Sequence, residues 1–267
     1  MTSASSATET PSLKQQMQAG HLALCMGIRQ ARTTDIALMA SACGFDSLYV
    51  DMQHSTIPLD TTSAICALAS AAGVAPLVRV PGVDTTLACR LLDGGATGII
   101  VPDVESVAQA ATMAHAIHYP PRGNRSVMGS GLSTAYRALS QADIIRQAQA
   151  STLLILMLES ARGIEQADAI AASGHADMLL VGANDLCADL GIPGQVSHPD
   201  ALAAYDEIAQ ACRKHGCLFG IGGIRNDLTL QQRLLDAGAR FLVAGNDTTY
   251  LMQAAKASVQ SIRDACR

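Results

Sequence analysis

Thr152–Gly163 reads TLLILMLESARG: six apolar residues, Leu153 to Leu158, run unbroken into one carboxylate, Glu159, and then into Ser-Ala-Arg-Gly. A short, continuously apolar segment bounded by turn residues fits a strand buried on both faces, as in a parallel sheet. A carboxylate at the C-terminal end of such a strand is costly to bury unless something positive meets it. Taken alone, Glu159 fits equally well a strand-end acid that pairs with an arginine or caps the next helix. A second stretch repeats the pattern. Asp177–Gly182, DMLLVG, is again short and apolar, and Ala-Asn-Asp185-Leu follows it. Two acids ending adjacent strands make a natural oxygen-ligand site for a divalent cation.

Outward from these two stretches the chain alternates short apolar strands with helices. Strands are expected at Leu22–Ile28, Ser47–Asp51, Pro76–Val80 and Gly98–Pro102, and after Asp177–Gly182 at Leu218–Ile221 and Phe241–Ala244. Helices are expected at Thr34–Ala42, Leu59–Ala72, Thr85–Gly94, Ser106–His118, Gln141–Ala150, Pro199–His215 and Leu228–Ala237, with a closing helix from Thr249. The regularity breaks once, at Tyr119–Tyr136, whose Pro-Pro, glycines and arginines mark a long loop. Eight strand–helix units predict an α/β fold, a (β/α)8 TIM barrel in a single domain over residues 13–267, with its long loops after strands on the catalytic rim. A doubly wound open sheet is the rival, but no GxGxxG follows the first strand.

Composition agrees. A chain of 267 residues, 49% apolar and without Trp, suits one large core of Leu, Ile, Val, Ala and Met. A formal charge of −5 gives no basic footprint for nucleic acid. The eight cysteines form no CxxC pair, which points to free thiols in the cytoplasm. No apolar run approaches the ~20 residues of a membrane span. Residues 1–12, MTSASSATETPS, lack a secretory pattern and read as a disordered tail.

In a barrel the residues just past each strand carry the chemistry. Here they are Asp51-Met-Gln-His54, Arg79, Pro102-Asp103, Glu159-Ser160, Asn184-Asp185, Gly220-Ile-Gly-Gly223 and Gly245-Asn-Asp247. His54 suits proton transfer, although a lone loop histidine is commonly structural. Arg79, after a very apolar strand, either aims a planar fork at a carboxylate or enolate, or simply pairs with Asp51 or Glu159. Asp51 is a candidate for orienting His54 or a metal-bound water. Asp93, late in a helix, reads by itself as a helix-end acid. The Gly-rich segments after strands seven and eight either hold a phosphate or allow close backbone approach.

These pieces together resemble the HpcH/HpaI family of metal-dependent pyruvate aldolases, from about Met17 to Arg263. The carriers are VDMQHS at 50–55, APLVRVPG at 75–82, LLDGGATGIIVPDVES at 91–106, YPPRGNRSV at 119–127, LMLES at 156–160 and DMLLVGANDLCADLGIPGQVSHP at 177–199. The resemblance implies a class II aldolase that cleaves a 4-hydroxy-2-oxoacid to pyruvate and an aldehyde. Glu159 and Asp185 would bind Mg2+, Mn2+ or Co2+, which pyruvate chelates as the enolate donor. Arg79, Ser160, Asn184 and Asp185 would contact substrate, and His54 would handle the aldol proton with Asp93 as acidic partner and Asp51 nearby. It also implies a homo-oligomer, commonly a hexamer, with the C-terminal helix packed on a neighbour, and acceptor selection by the Tyr119–Tyr136 loop and by side chains near Leu186–Pro193.

The chain departs from the family pattern at Gln53, where Glu is common, at Ala183-Asn184, and at Ser126, where Gly is usual. Other readings keep the oxoacid core: a citrate lyase β-like enzyme, an oxaloacetate decarboxylase, or a non-catalytic oxoacid-binding protein. A lysine Schiff base is disfavoured, because Lys14, Lys214 and Lys256 all lie away from strand ends.

Overall fold

The computed structural model describes residues 11–266. Eight strands close into a parallel barrel in sequence order: β1 (Ala23–Ile28), β2 (Ser47–Asp51), β3 (Ala75–Arg79), β4 (Gly98–Val101), β5 (Leu153–Leu158), β6 (Met178–Gly182), β7 (Leu218–Gly222) and β8 (Ala239–Asn246), with β8 returning to β1. This is the expected (β/α)8 architecture. Strand boundaries agree with the sequence reading to within two residues at every end.

Side chains of a strand alternate between its two faces, and that alternation decides what reaches the barrel interior. All six residues of β5 are buried. Leu153, Ile155 and Met157 belong to the interior cluster, with Tyr49, Leu77, Ile100, Met178, Leu180 and Phe241. Leu154, Leu156 and Leu158 face outward into the larger core under the helices. By the same parity the next inward positions are Asp51 above Tyr49, Arg79 above Leu77, Glu159 above Met157 and Gly182 above Leu180. The barrel therefore carries an apolar layer capped by a polar one at its C-terminal end.

The opposite end is closed by a helix that the strand–helix pattern does not reveal, Leu13–Gln18. Ser12 starts it with a capping box: its hydroxyl accepts from Gln15 N–H, and the Gln15 side chain accepts from Ser12 N–H. Leu13 and Met17 plug the interior cluster, while Lys14 pairs with Asp177 at 2.7 Å. Of the tail expected over residues 1–12, residues 1–10 lie outside the described residues.

Three short helices were also hidden in the sequence, Ala161–Glu165, Ala167–Ala172 and Ala183–Asp189. Each has only five to seven residues, too few to show a helical period. The long loop Tyr119–Tyr136 follows the helix Val107–Ile117, as its place after the expected helix implies, so it is not among the loops that follow strands; it lines a groove with Thr97 and Thr152, which precede β4 and β5. Within the chain it therefore sits at the N-terminal end of the barrel, remote from the polar layer. No helix of the described residues is long and apolar enough to cross a membrane.

Candidate active site

Asp51 and Arg79 are register partners on β2 and β3, so both point inward at the same level. Arg79 donates from Nε to Asp51 Oδ1 at 3.0 Å and from Nη2 to Oδ2 at 2.6 Å, a two-pronged pair in which the carboxylate is fully buried. Arg29, just past β1, donates to Oδ2 from the other side at 2.8 Å. Asp51 also accepts from the backbone N–H groups of Gln53 and His54, at 3.2 and 3.1 Å. Burial pushes this carboxyl up, but the Arg79 hydrogen bonds and charge, with the His54 amide and Arg29, hold it below the usual carboxylate range. Asp51 is thus a fixed anion that positions both arginines and the turn bearing His54.

The pairing leaves one Arg79 nitrogen uncommitted. Among the described residues Nη1 meets only the Met157 sulfur, at 3.8 Å, a soft acceptor that a substrate oxygen would outcompete. The guanidinium also lies 5.7 Å from the Tyr49 ring centre, so its plane is held from below. Arg79 is thus salt-bridged to Asp51, one of the two expected readings, and it lines the cavity with Nη1 still without an oxygen partner among the described residues.

Glu159 is buried against the neighbouring strand. Its Oε1 accepts from the backbone N–H of Asp103 at 2.9 Å, while Oε2 is shut from solvent and has no hydrogen-bond partner among the described residues. Asp103 presents that amide from a left-handed backbone, φ 54°, a conformation Asp tolerates better than most residues. Gly182 makes room on the other side: a Cβ there would come within 2.3 Å of Oε2 and 2.7 Å of the Glu159 Cβ. Burial raises the Glu159 carboxyl to about 7; the Asp103 amide opposes this, and the charges of Asp103 and Asp185 add to it.

An orphaned carboxylate oxygen with a second carboxylate in electrostatic reach fits a hard dication that takes oxygen donors. No group of three or more His, Cys, Asp or Glu suited to a metal converges among the described residues. Two protein carboxylates, with substrate and water completing the set, would suit such an ion.

A cavity of about 240 Å3 opens over this layer. Tyr49, Ile100, Met157 and Leu180 line it with Arg79, and Arg29, His54, Asn184 and Asp185 contribute too. Asp185 and Asn184 are exposed in the first turn after β6, and His54 is exposed on the turn after β2. Gly223, at φ 87°, lets the β7 end approach Asn184, whose Nδ2 would lie 3.1 Å from a Cβ there. That close approach accounts for this glycine without a phosphate.

Asp51, Glu159 and Ser160 are not on the lining of this cavity, and the Ser160 hydroxyl donates to Glu105 at 2.7 Å and caps the next helix through Gly163 N–H. Asp93 ends the helix after β3, near the N-terminal end of the barrel, and pairs with Arg125 at 2.7 Å. Helices run back down the barrel, so the last residue of one cannot reach its own chain's catalytic rim. Arg29 and Tyr49 were missed, although Tyr49 shares the parity of Asp51 two residues on.

A family model described as HpcH/HpaI aldolase/citrate lyase matches residues 29–254. The chain belongs to the HpcH/HpaI family. It is 35% identical over 242 residues to the 4-hydroxy-4-methyl-2-oxoglutarate aldolase of Hapsidospora irregularis, covering 90% of each chain. It is 35% identical over 237 residues to the hydroxypyruvate/pyruvate aldolase of Paraburkholderia phytofirmans, covering 86% of this chain and 90% of that one. Among solved structures, the HpcH/HpaI aldolase from Desulfitobacterium hafniense superposes with a TM-score of 0.90 at 27% identity, covering 95% of this chain and 97% of that one. Of the departures from the HpcH/HpaI pattern, Gln53 leaves its side-chain Oε1 buried without a hydrogen-bond partner among the described residues, whereas Ser126 is exposed.

Proposed function

We propose that the protein is a divalent-metal-dependent carbon–carbon lyase that splits a 4-hydroxy-2-oxoacid into pyruvate and a second carbonyl compound, reversibly. The observation that carries this reading is the unpartnered Glu159 Oε2 in a layer that also holds the free Nη1 of Arg79. The Hapsidospora and Paraburkholderia relatives, both aldolases by name, support it.

Glu159 and Asp185 would hold the ion, Mg2+, Mn2+ or Co2+, and when bound it supplies Lewis acidity toward negative charge developing on the oxoacid. Arg79 Nη1 donates to the oxoacid oxygen and strengthens as that oxygen becomes an enolate, a gain confined to the transition state and intermediate. His54 takes the proton of the 4-hydroxyl as its oxygen becomes the carbonyl of the leaving fragment. The C3–C4 bond breaks, and its electron pair passes into the enolate, which a proton then converts to pyruvate. The apolar wall of Ile100, Met157 and Leu180 suits the uncharged C3 carbon. A lysine route lacks its residue: Lys14 is tied to Asp177, Lys214 to Asp168, and Lys256 lies exposed on the final helix.

The test is pyruvate release from a panel of 4-hydroxy-2-oxoacids before and after chelation. Release should stop with EDTA and return with Mg2+, Mn2+ or Co2+. Release that persists in EDTA would remove the metal from the reading, and no release from any member would remove the aldolase.

The protein is also proposed to act as a homo-oligomer, of hexameric size in keeping with the family resemblance, and in the cytoplasm. Helix Asp247–Ala265 has no buried residue, and Leu251, Val259 and Ile262 are exposed on one face of it, which a neighbouring copy would cover. Light scattering should give a multiple of the 27.7 kDa chain, and a monomeric mass would sink this part.

A further inference from the structure

Retro-aldol cleavage leaves pyruvate as its enolate, and C3 of that enolate must take a proton before pyruvate is complete. The ionisable side chains on the cavity wall are Arg29, Tyr49, His54, Arg79 and Asp185. The two guanidiniums do not give up protons, and Asp185 is assigned to the ion. His54, exposed on the turn after β2, already takes the proton of the 4-hydroxyl. Tyr49 is left. It lies on the cavity floor, in the same layer as Ile100, Met157 and Leu180, the apolar wall that suits C3.

Three observations turn its hydroxyl toward the substrate. Tyr49 is the register partner of Gly27 on β1, and a Cβ on Gly27 would stand 3.0 Å from both the phenol oxygen and Cε1. The ring therefore reaches across toward β1, in space that a glycine leaves open. Its centre is 5.7 Å from the Arg79 guanidinium carbon. Arg79 is the donor to the enolate oxygen, and C3 is one bond from the carbon that bears this oxygen. Finally, the hydroxyl has no hydrogen-bond partner among the described residues, and unlike Glu159 Oε2 it is not sealed away from the cavity. A phenol inside an apolar layer ordinarily has a partner. Burial raises this one above its ordinary range, with the Arg79 charge opposing, so it is a neutral O–H donor at pH 7.

We propose that Tyr49 is the acid that protonates C3 of the pyruvate enolate. The assignment rests on the aldolase reading above and supplies its last step. The phenol O–H bond breaks and the proton goes to C3. The enolate electron pair forms the new C–H bond, and the C2–O bond becomes a carbonyl again. The phenolate left behind is stabilised by the Arg79 and Arg29 charges. It regains a proton through solvent as the His54 imidazolium returns the one taken from the 4-hydroxyl. Protons balance over the cycle. In the aldol direction the same phenolate removes the methyl proton of pyruvate.

Tyr49→Phe tests this, because it keeps the ring over Gly27 and beneath Arg79 and deletes only the hydroxyl. Exchange of the C3 protons of pyruvate in D2O with Mg2+, followed by NMR, reads the step without carbon–carbon cleavage. It should fall by about a hundredfold in Tyr49→Phe, the lower end of what a positioned acid contributes. The second reading is single-turnover cleavage of 4-hydroxy-2-oxopentanoate or 4-hydroxy-2-oxoglutarate, whichever the wild type splits faster. There the aldehyde should form at nearly the wild-type rate while pyruvate lags behind it. Gly27→Ala crowds the phenol oxygen without removing it and should slow exchange several-fold with the same lag, an independent check should the Phe variant fold poorly. Exchange at the wild-type rate in Tyr49→Phe would overturn the proposal and leave the aldolase standing, with His54 as acid and base in turn. Equal loss of aldehyde formation and exchange would also overturn it, reducing Tyr49 to a support for Arg79. A wild type that neither exchanges these protons nor releases pyruvate would overturn the aldolase reading as well.

Discussion

Glu159→Gln is expected to cut metal-dependent pyruvate release by at least about a thousandfold, an effect of the order seen when a charge-stabilising group is removed from a reacting centre. The substitution keeps the shape, and the amide oxygen can still accept from Asp103 N–H, so circular dichroism should be unchanged. What it removes is the anion whose second oxygen has no partner among the described residues. The pH dependence gives an independent check. The folded-state carboxyl sits at about 7 against an ordinary 4.5, so the folded chain holds the proton more tightly. Its stabilising contribution is fully present below about 4.5 and is lost as pH rises through 7, roughly 3 kcal/mol over the whole window. Metal-free wild type should therefore melt lower at pH 8 than at pH 6, and Glu159→Gln should lose that part of the slope. A dication displaces the same proton, so apparent affinity should fall about tenfold per unit below pH 7. Mg2+ should raise the wild-type melting temperature at pH 8 and leave the variant where it was. A variant that still binds and turns over would dismiss Glu159 as a ligand.

The barrel was legible because its strands are buried on both faces, and LLILML or DMLLVG stands out against helices of mixed polarity. The strand-end residues Asp51, Arg79 and Glu159 were legible for the same reason: an ionisable group at the end of such a run has few places to go, whereas Asp185 lies exposed in the helix after β6. Two features were not. Which face a strand-end residue takes follows from parity counted across the whole strand, and only that count brings Tyr49 beneath Arg79. Arg29 sits on an irregular turn, which is fixed by the closing of β8 onto β1, with Asp247 gripping three amides of that turn. Ser160 and Asp93 were assigned by resemblance rather than by position. Their hydrogen bonds within the chain go to Glu105 and Arg125 instead.

Removing Arg79 separates the two uses of one side chain. Arg79→Met should lower kcat/KM by about a hundredfold or more, because it deletes the donor aimed at the developing enolate. It should also destabilise the fold, contrary to what a rim arginine suggests from sequence. Asp51 has no exposed surface, and breaking a buried pair from one side costs about 3–5 kcal/mol. Arg29 still reaches Oδ2 from a partly exposed position, which places the loss near the lower bound, about 3 kcal/mol. Arg79→Lys cannot repair both functions, since a single ammonium lacks the fork that binds two carboxylate oxygens and leaves Nη1 over. The decisive variant is Asp51→Asn with Arg79→Met, which removes the stranded charge together with its partner. Denaturant melts should recover most of the lost stability, while pyruvate release stays as low as in Arg79→Met alone. Recovery of activity along with stability would mean that Arg79 acts only by holding Asp51, and the free nitrogen facing Met157 would then have no part in the chemistry.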